Sequence, residues 1–166
     1  MIPPASREPR SSSPEERLGQ LGFALPDLPP VPVGNFANAT RIGSMLFVSG
    51  QGPVTADGRS MTGKVGGDVG VAEAYEHARL AGLNLLAVAR QQVGGLSSIR
   101  RVVKLFGMVN AVPDFADHPK VINGCSDLLT EVFGPAGVHA RSSVGMGSLP
   151  NNITVEIEAI FEIADD

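Results

Sequence analysis

The chain has no tryptophan, a single tyrosine and a single cysteine. One cysteine can neither close an internal disulfide nor build a zinc cluster, and this scarcity fits a reducing compartment, so a cytoplasmic protein without a bound metal is expected. Long apolar runs are missing as well. No segment approaches the roughly 18 consecutive apolar residues of a membrane span, and "MIPPASREPRSSSPEER" has no apolar stretch that would make it a secretory leader. Positive charge is in short supply too: 13 Lys and Arg against 17 Asp and Glu leave a formal net charge of -4. A dedicated nucleic-acid binder needs a basic face for phosphate. The densest basic run here, Arg100, Arg101 and Lys104, lacks interleaved aromatics.

What is present suffices for one core. The 166 residues fit a single domain of about 100–200 residues. Residues 1–12 are rich in Pro, Ser and Arg without periodicity and read as a flexible arm; residues 13–166 read as the domain. It opens with a short helix whose N-cap is Ser13, with Pro14 at the first helical position, Glu16 closing a capping box and Gly22 as the stop. "ALPDLPPVPVG" holds four prolines in eleven residues and should run extended.

Residues 38–50 read as two short strands about a turn at Gly43-Ser44. Helical spacing over 69–93 predicts a long helix whose small stripe Ala74, Ala78, Gly82 could approach a sheet closely. "IRRVVKLFGMVNA" alternates, with Val103, Leu105, Gly107 and Val109 on one face and Val102, Lys104, Phe106 and Met108 on the other. Both faces are largely apolar, so this strand should be central. A second long helix runs to Phe133, starting near Asp117 with Pro119 in its first turn. Strands over 140–148 and 153–163 follow, joined by "LPNN". The expected fold is α+β: a mixed sheet in the order β-β-α-β-α-β-β with two long helices on one face. In such a monomer Val102, Phe106 and Met108 would lie bare on the other face, which predicts a homo-oligomer.

The segment "ARSSVGMGSLPNNITVEI" resembles the C-terminal signature of the Rid (reactive intermediate deaminase, YjgF-type) family, which leads from Ala-Arg-Ser to a Leu-Pro turn and a hydrophobic-Glu-hydrophobic triplet. "FVSGQGPV" is similar to the family's Ser-Gly-Gln-x-Pro segment, and the element order agrees from about Val33 to Ile163. The resemblance implies a chorismate-mutase-like fold, a homotrimer with small-molecule clefts between subunits, and hydrolysis of 2-imino acids to 2-keto acids and ammonia without metal or cofactor. Three positions depart from it: His139 stands where the family has proline or alanine, Ser143 where the typical deaminase has cysteine, and Phe36 where a tyrosine lines the pocket. Asn123 aligns with a family asparagine.

The residues can carry that chemistry. Arg141 offers a guanidinium fork for a substrate carboxylate, and Glu156 can orient the attacking water or shuttle its proton. Ser49, Ser143, Asn123 and the backbone at Gly50 would fix the remaining polar atoms, with Phe36 as a wall. Each also has a plain reading: Arg141 paired with a surface acid, Glu156 on a solvated face with Glu158 and Glu162, the serines as structural hydroxyls, Cys125 as core filler, and His77, His118 and His139 as surface or packing groups. His139 is also a candidate for the cleft wall. If "LPNN" closes a hairpin, Glu156 and Arg141 share a face about 13 Å apart at roughly 3.3 Å per residue. One small substrate would then need a second subunit to bridge them. A non-catalytic carboxylate-binding module uses only the Arg141 pocket and competes with the hydrolase; an endoribonuclease finds less support in the charge.

Overall fold

The computed structural model describes residues 12–164; the arm read over 1–12 falls, apart from Ser12, outside them. Helix α1 (Pro14–Gln20) starts as its capping box requires, with Ser13 Oγ accepting from Glu16 N–H at 3.1 Å and Glu16 Oε2 accepting from Ser13 N–H at 2.8 Å. Strands β1 (Ala39–Ile42) and β2 (Met45–Gln51) form the first hairpin. Gly43, at φ 57°, supplies the left-handed residue of its turn. Helix α2 (Val71–Val93), strand β3 (Ile99–Asn110), helix α3 (His118–Phe133), and strands β4 (Ala140–Met146) and β5 (Val155–Ile163) complete the chain. This is the expected α+β fold with α1 in front.

The five strands lie in the order β1-β2-β5-β3-β4, antiparallel except for the β3–β4 pair. Here the "LPNN" hairpin fails. Helix α3 is a crossover between β3 and β4, so β4 arrives parallel to β3 at the sheet edge, and β5 is left to pair on the other side of β3. The connection between β4 and β5 must therefore cross the end of β3. Asn151 and Asn152 take it there at φ 53° and 57°, a conformation asparagine tolerates better than most residues. Asn110 anchors the crossing, donating to Gly63 O and to Asn152 Oδ1, both at 3.0 Å.

Both long helices cover one face, where Leu105, Val109, Val155, Ile157 and Phe161 are fully buried. Val102 belongs to that core. Two register shifts put an extra residue into β3, between Ile99 and Arg101 and between Val102 and Lys104; these bulges set Val102 opposite Phe161, facing inward. The strict alternation read from the sequence placed it on the bare face. Gly82 of the small stripe on α2 meets α3 rather than the sheet: a Cβ there would lie 3.1 Å from Cys125 Sγ and from Leu128. One on Gly124 would run into the Tyr75 carbonyl, so that glycine permits the helices' close approach.

Candidate functional site

Paired residues on adjacent strands point to the same side of a sheet. Arg141 pairs with Leu105 and Ser143 with Gly107, both on the helix-covered face. Arg141 therefore reaches α3, whose residues Asn123 and Ser126, three apart, present neighbouring side chains. Arg141 Nη2 donates to Asn123 Oδ1 at 2.8 Å and to Pro119 O at 3.2 Å, and Nη1 donates to Ser126 Oγ at 2.8 Å. Three of the five guanidinium N–H donors are thus engaged, both of those on Nη2 and one on Nη1, which leaves Nε–H and one Nη1–H on different edges of the group. Ser126 Oγ also lies 2.9 Å from His139 Nε2, and His139 Nδ1 lies 2.6 Å from Gly137 O. Burial lowers the His139 pKa, the Arg141 charge acts the same way, and the Gly137 bond opposes both. Ser143 Oγ is buried and has no hydrogen-bond partner among the described residues. Cys125, behind this cluster, has its thiol pushed up to about 12 by burial, against the pull of Arg141. It stays protonated and belongs to the core.

Glu156 pairs with Met108 and points to the opposite, uncovered face. The hairpin reading, which put it on the same face as Arg141, is corrected by the interposed β3. Glu156 lies against Gly50, where any Cβ would overlap its carboxylate, Cδ being only 2.9 Å from that position. Both line a cleft of about 280 Å³ with Phe36, Val31, Gln51 and Ile153. Partial burial, with Glu158 nearby as the lesser cause, raises the Glu156 pKa above the ordinary carboxylate value. Ser49 stands apart: its hydroxyl donates to Ala37 O at 2.7 Å, and it lines a separate hollow of about 320 Å³ with Phe47, Lys104, Phe106 and Glu158.

The sequence candidates thus fall into two groups on opposite sides of one sheet. Arg141, Asn123 and Ser143 gather on the helix-covered side with His139 and Ser126; Glu156, Gly50 and Phe36 gather at the cleft on the uncovered side. Ser126 escaped the sequence reading, although its position three residues after Asn123 on an amphipathic helix was the available signal. Among the described residues no three His, Cys, Asp or Glu side chains are grouped to hold a metal ion, and no helix is long and apolar enough to cross a membrane.

A family model described as "YjgF/chorismate mutase-like, putative endoribonuclease" matches residues 15–162. The chain is 38% identical over 147 residues to Protein TCP17 of Trypanosoma cruzi, spanning 88% of this chain and 91% of that protein. It is 29% identical over 137 residues to the 2-iminobutanoate/2-iminopropanoate deaminase of Dermatophagoides farinae, spanning 82% and 91%. The crystal structure of Atu1372 from Agrobacterium tumefaciens, a protein of unknown function, superposes with a TM-score of 0.82 at 46% identity, covering 90% of this chain and 91% of that one.

Proposed function

The chain belongs to the YjgF/chorismate mutase-like family, and from that premise we propose that it hydrolyses small 2-imino acids to 2-keto acids and ammonia in clefts between the subunits of a homotrimer. One observation carries the reading: the anion-binding half around Arg141 and the carboxyl half around Glu156 face away from each other within one chain. A second copy that sets its Glu156 face against the Arg141 edge of the first completes a site that neither copy holds alone. The deaminase from Dermatophagoides farinae supports the substrate class.

In that site the Arg141 charge and one of its remaining N–H donors bind the substrate carboxylate and fix the C=N carbon in place. Glu156, ionised, takes a proton from water as the oxygen attacks the carbon of the protonated imine, returns it to the nitrogen of the resulting carbinolamine, and then takes the hydroxyl proton as the C–N bond breaks, the C=O forms and ammonia leaves. Partial burial raises the Glu156 pKa above the ordinary carboxylate value, the direction that suits a group which must both take and return a proton.

The test generates 2-iminobutanoate in situ and follows 2-oxobutanoate release above the uncatalysed rate. Glu156→Gln should lower the rate on the order of 100-fold or more while ligand binding persists, because an amide cannot take the proton. Arg141→Lys keeps the charge and loses the planar donors, so it should weaken carboxylate binding. Wild-type protein that binds 2-oxobutanoate normally yet adds nothing to the background rate would replace the hydrolase with a carboxylate-binding module, the reading that Phe36, without a hydroxyl, and Ser143 favour.

A further inference from the structure

With a neutral His139 the hydrogen bonds around Ser126 admit one assignment of protons. A backbone carbonyl only accepts, so Gly137 O, 2.6 Å from His139 Nδ1, requires a proton on that nitrogen. In the neutral ring Nε2 then carries a lone pair. Ser126 Oγ, 2.9 Å away, must direct its own proton there. Arg141 Nη1 only donates, so its 2.8 Å contact places a cationic N–H on the same oxygen. Burial and the neighbouring guanidinium both favour the neutral imidazole that this chain of bonds needs.

A hydroxyl aimed at a histidine, the histidine oriented through its far nitrogen, and a cation beside the hydroxyl oxygen make up the arrangement that activates a serine. Ser126, His139 and Arg141 are each only partly buried. We propose that Ser126 is a nucleophile with His139 as its general base, and that this edge of the molecule hydrolyses small, unhindered carboxylic esters. Ser126 Oγ attacks the acyl carbon while its proton passes to His139 Nε2. The carbonyl electron pair moves onto oxygen, toward the second N–H of Arg141 Nη1, whose first N–H holds Ser126 Oγ. As the tetrahedral adduct collapses, the ester C–O bond breaks and the departing alkoxide takes the proton from His139. Water then attacks the acyl-serine by the same route, giving the carboxylic acid and restoring Ser126. Arg141 serves both reactions but Glu156 takes no part in this one, so loss of imine hydrolysis in Glu156→Gln does not bear on it.

The full chain would be mixed with 4-nitrophenyl acetate, and separately with an alkyl fluorophosphonate, with the modified peptide located by mass spectrometry. A burst of nitrophenolate and a label on Ser126 are expected. His139→Gln should slow acylation on the order of 100-fold and erase the acid limb of its pH profile, which should lie below the usual histidine range because the imidazole pKa is lowered. Ser126→Ala should lose both burst and label. Wild-type protein that carries the label elsewhere, or none, overturns the proposal and leaves Ser126 as a holder of Arg141. Site mapping on the wild type needs no variant, so a Ser126→Ala chain that fails to fold does not spoil the test.

Discussion

Gly50 and Gly124 both sit where a Cβ would collide, but with different neighbours. At Gly50 the obstacle is the side chain of Glu156 from Cγ outward, which can rotate away; at Gly124 it is the backbone carbonyl of Tyr75. Gly50→Ala should therefore leave the melting temperature nearly unchanged while pushing Glu156 aside. Displacement of a catalytic group by about 1 Å costs on the order of 100-fold in rate, to be read as imine hydrolysis per folded protein. Gly124→Ala has no side chain to move, and forcing α2 from α3 should cost about 1–3 kcal/mol, measured by urea unfolding. A Gly50→Ala protein with full activity would show that Glu156 works from another rotamer. The pH dependence follows from the same carboxyl group. Burial raises its pKa, so hydrolysis that needs ionised Glu156 should fall off on the acid side at a higher pH than an ordinary glutamate would give. That limb should be missing from whatever residual rate Glu156→Gln retains.

Among the elements, α1 does more than its seven residues suggest. Leu18 is buried in the core, Arg17 Nη1 donates to Val132 O at the end of α3 at 3.0 Å, and Glu15 Oε1 accepts from Leu96 N–H in the turn after α2. So short a helix is not stable by itself; its cap and these attachments hold it. Ser13→Ala removes the acceptor for Glu16 N–H and should lower stability by about 1 kcal/mol. Because α1 holds the far end of α3 from Asn123, the loss should appear in thermal unfolding while the affinity for 2-oxobutanoate stays unchanged. A weakened affinity would mean that α1 sets the position of α3.

Across the molecule, the uncovered face carries Phe36, Ile42 and Phe47 with 50%, 67% and 40% of their surface exposed, beside partly exposed Phe106 and Met108. Apolar exposure on this scale is usual where a partner docks. The proposed trimer predicts three times the chain mass by light scattering at micromolar concentration, and a monomer there would remove the shared cleft. Complementation probes the cleft directly. Arg141→Lys and Glu156→Gln chains, each poorly active alone, would be unfolded together in equal amounts and refolded. If each site takes Arg141 from one subunit and Glu156 from the next, about a quarter of the sites in random trimers regain both native residues, and activity should return to about that fraction. Sites contained within one chain would recover nothing.

The capping box at Ser13, the alternation of β5 and the helical spacing of α2 and α3 were legible in the sequence, because caps and periodicity are local and depend on near neighbours. Arg141, Glu156 and Gly50 stood out in the sequence as candidates, through their residue types and their resemblance to the Rid signature. The inward turn of Val102 was hidden, since a bulge is defined only by the partner strand it opposes. Hidden too was the separation of Arg141 from Glu156: fourteen residues along the chain lie between them, but β3, more than thirty residues earlier, decides which face each one sees. Strand order is a contest among distant segments for the centre of the sheet. The same docking of α3 beside β4 brought Ser126 to His139 and Arg141, a meeting that no local pattern contains.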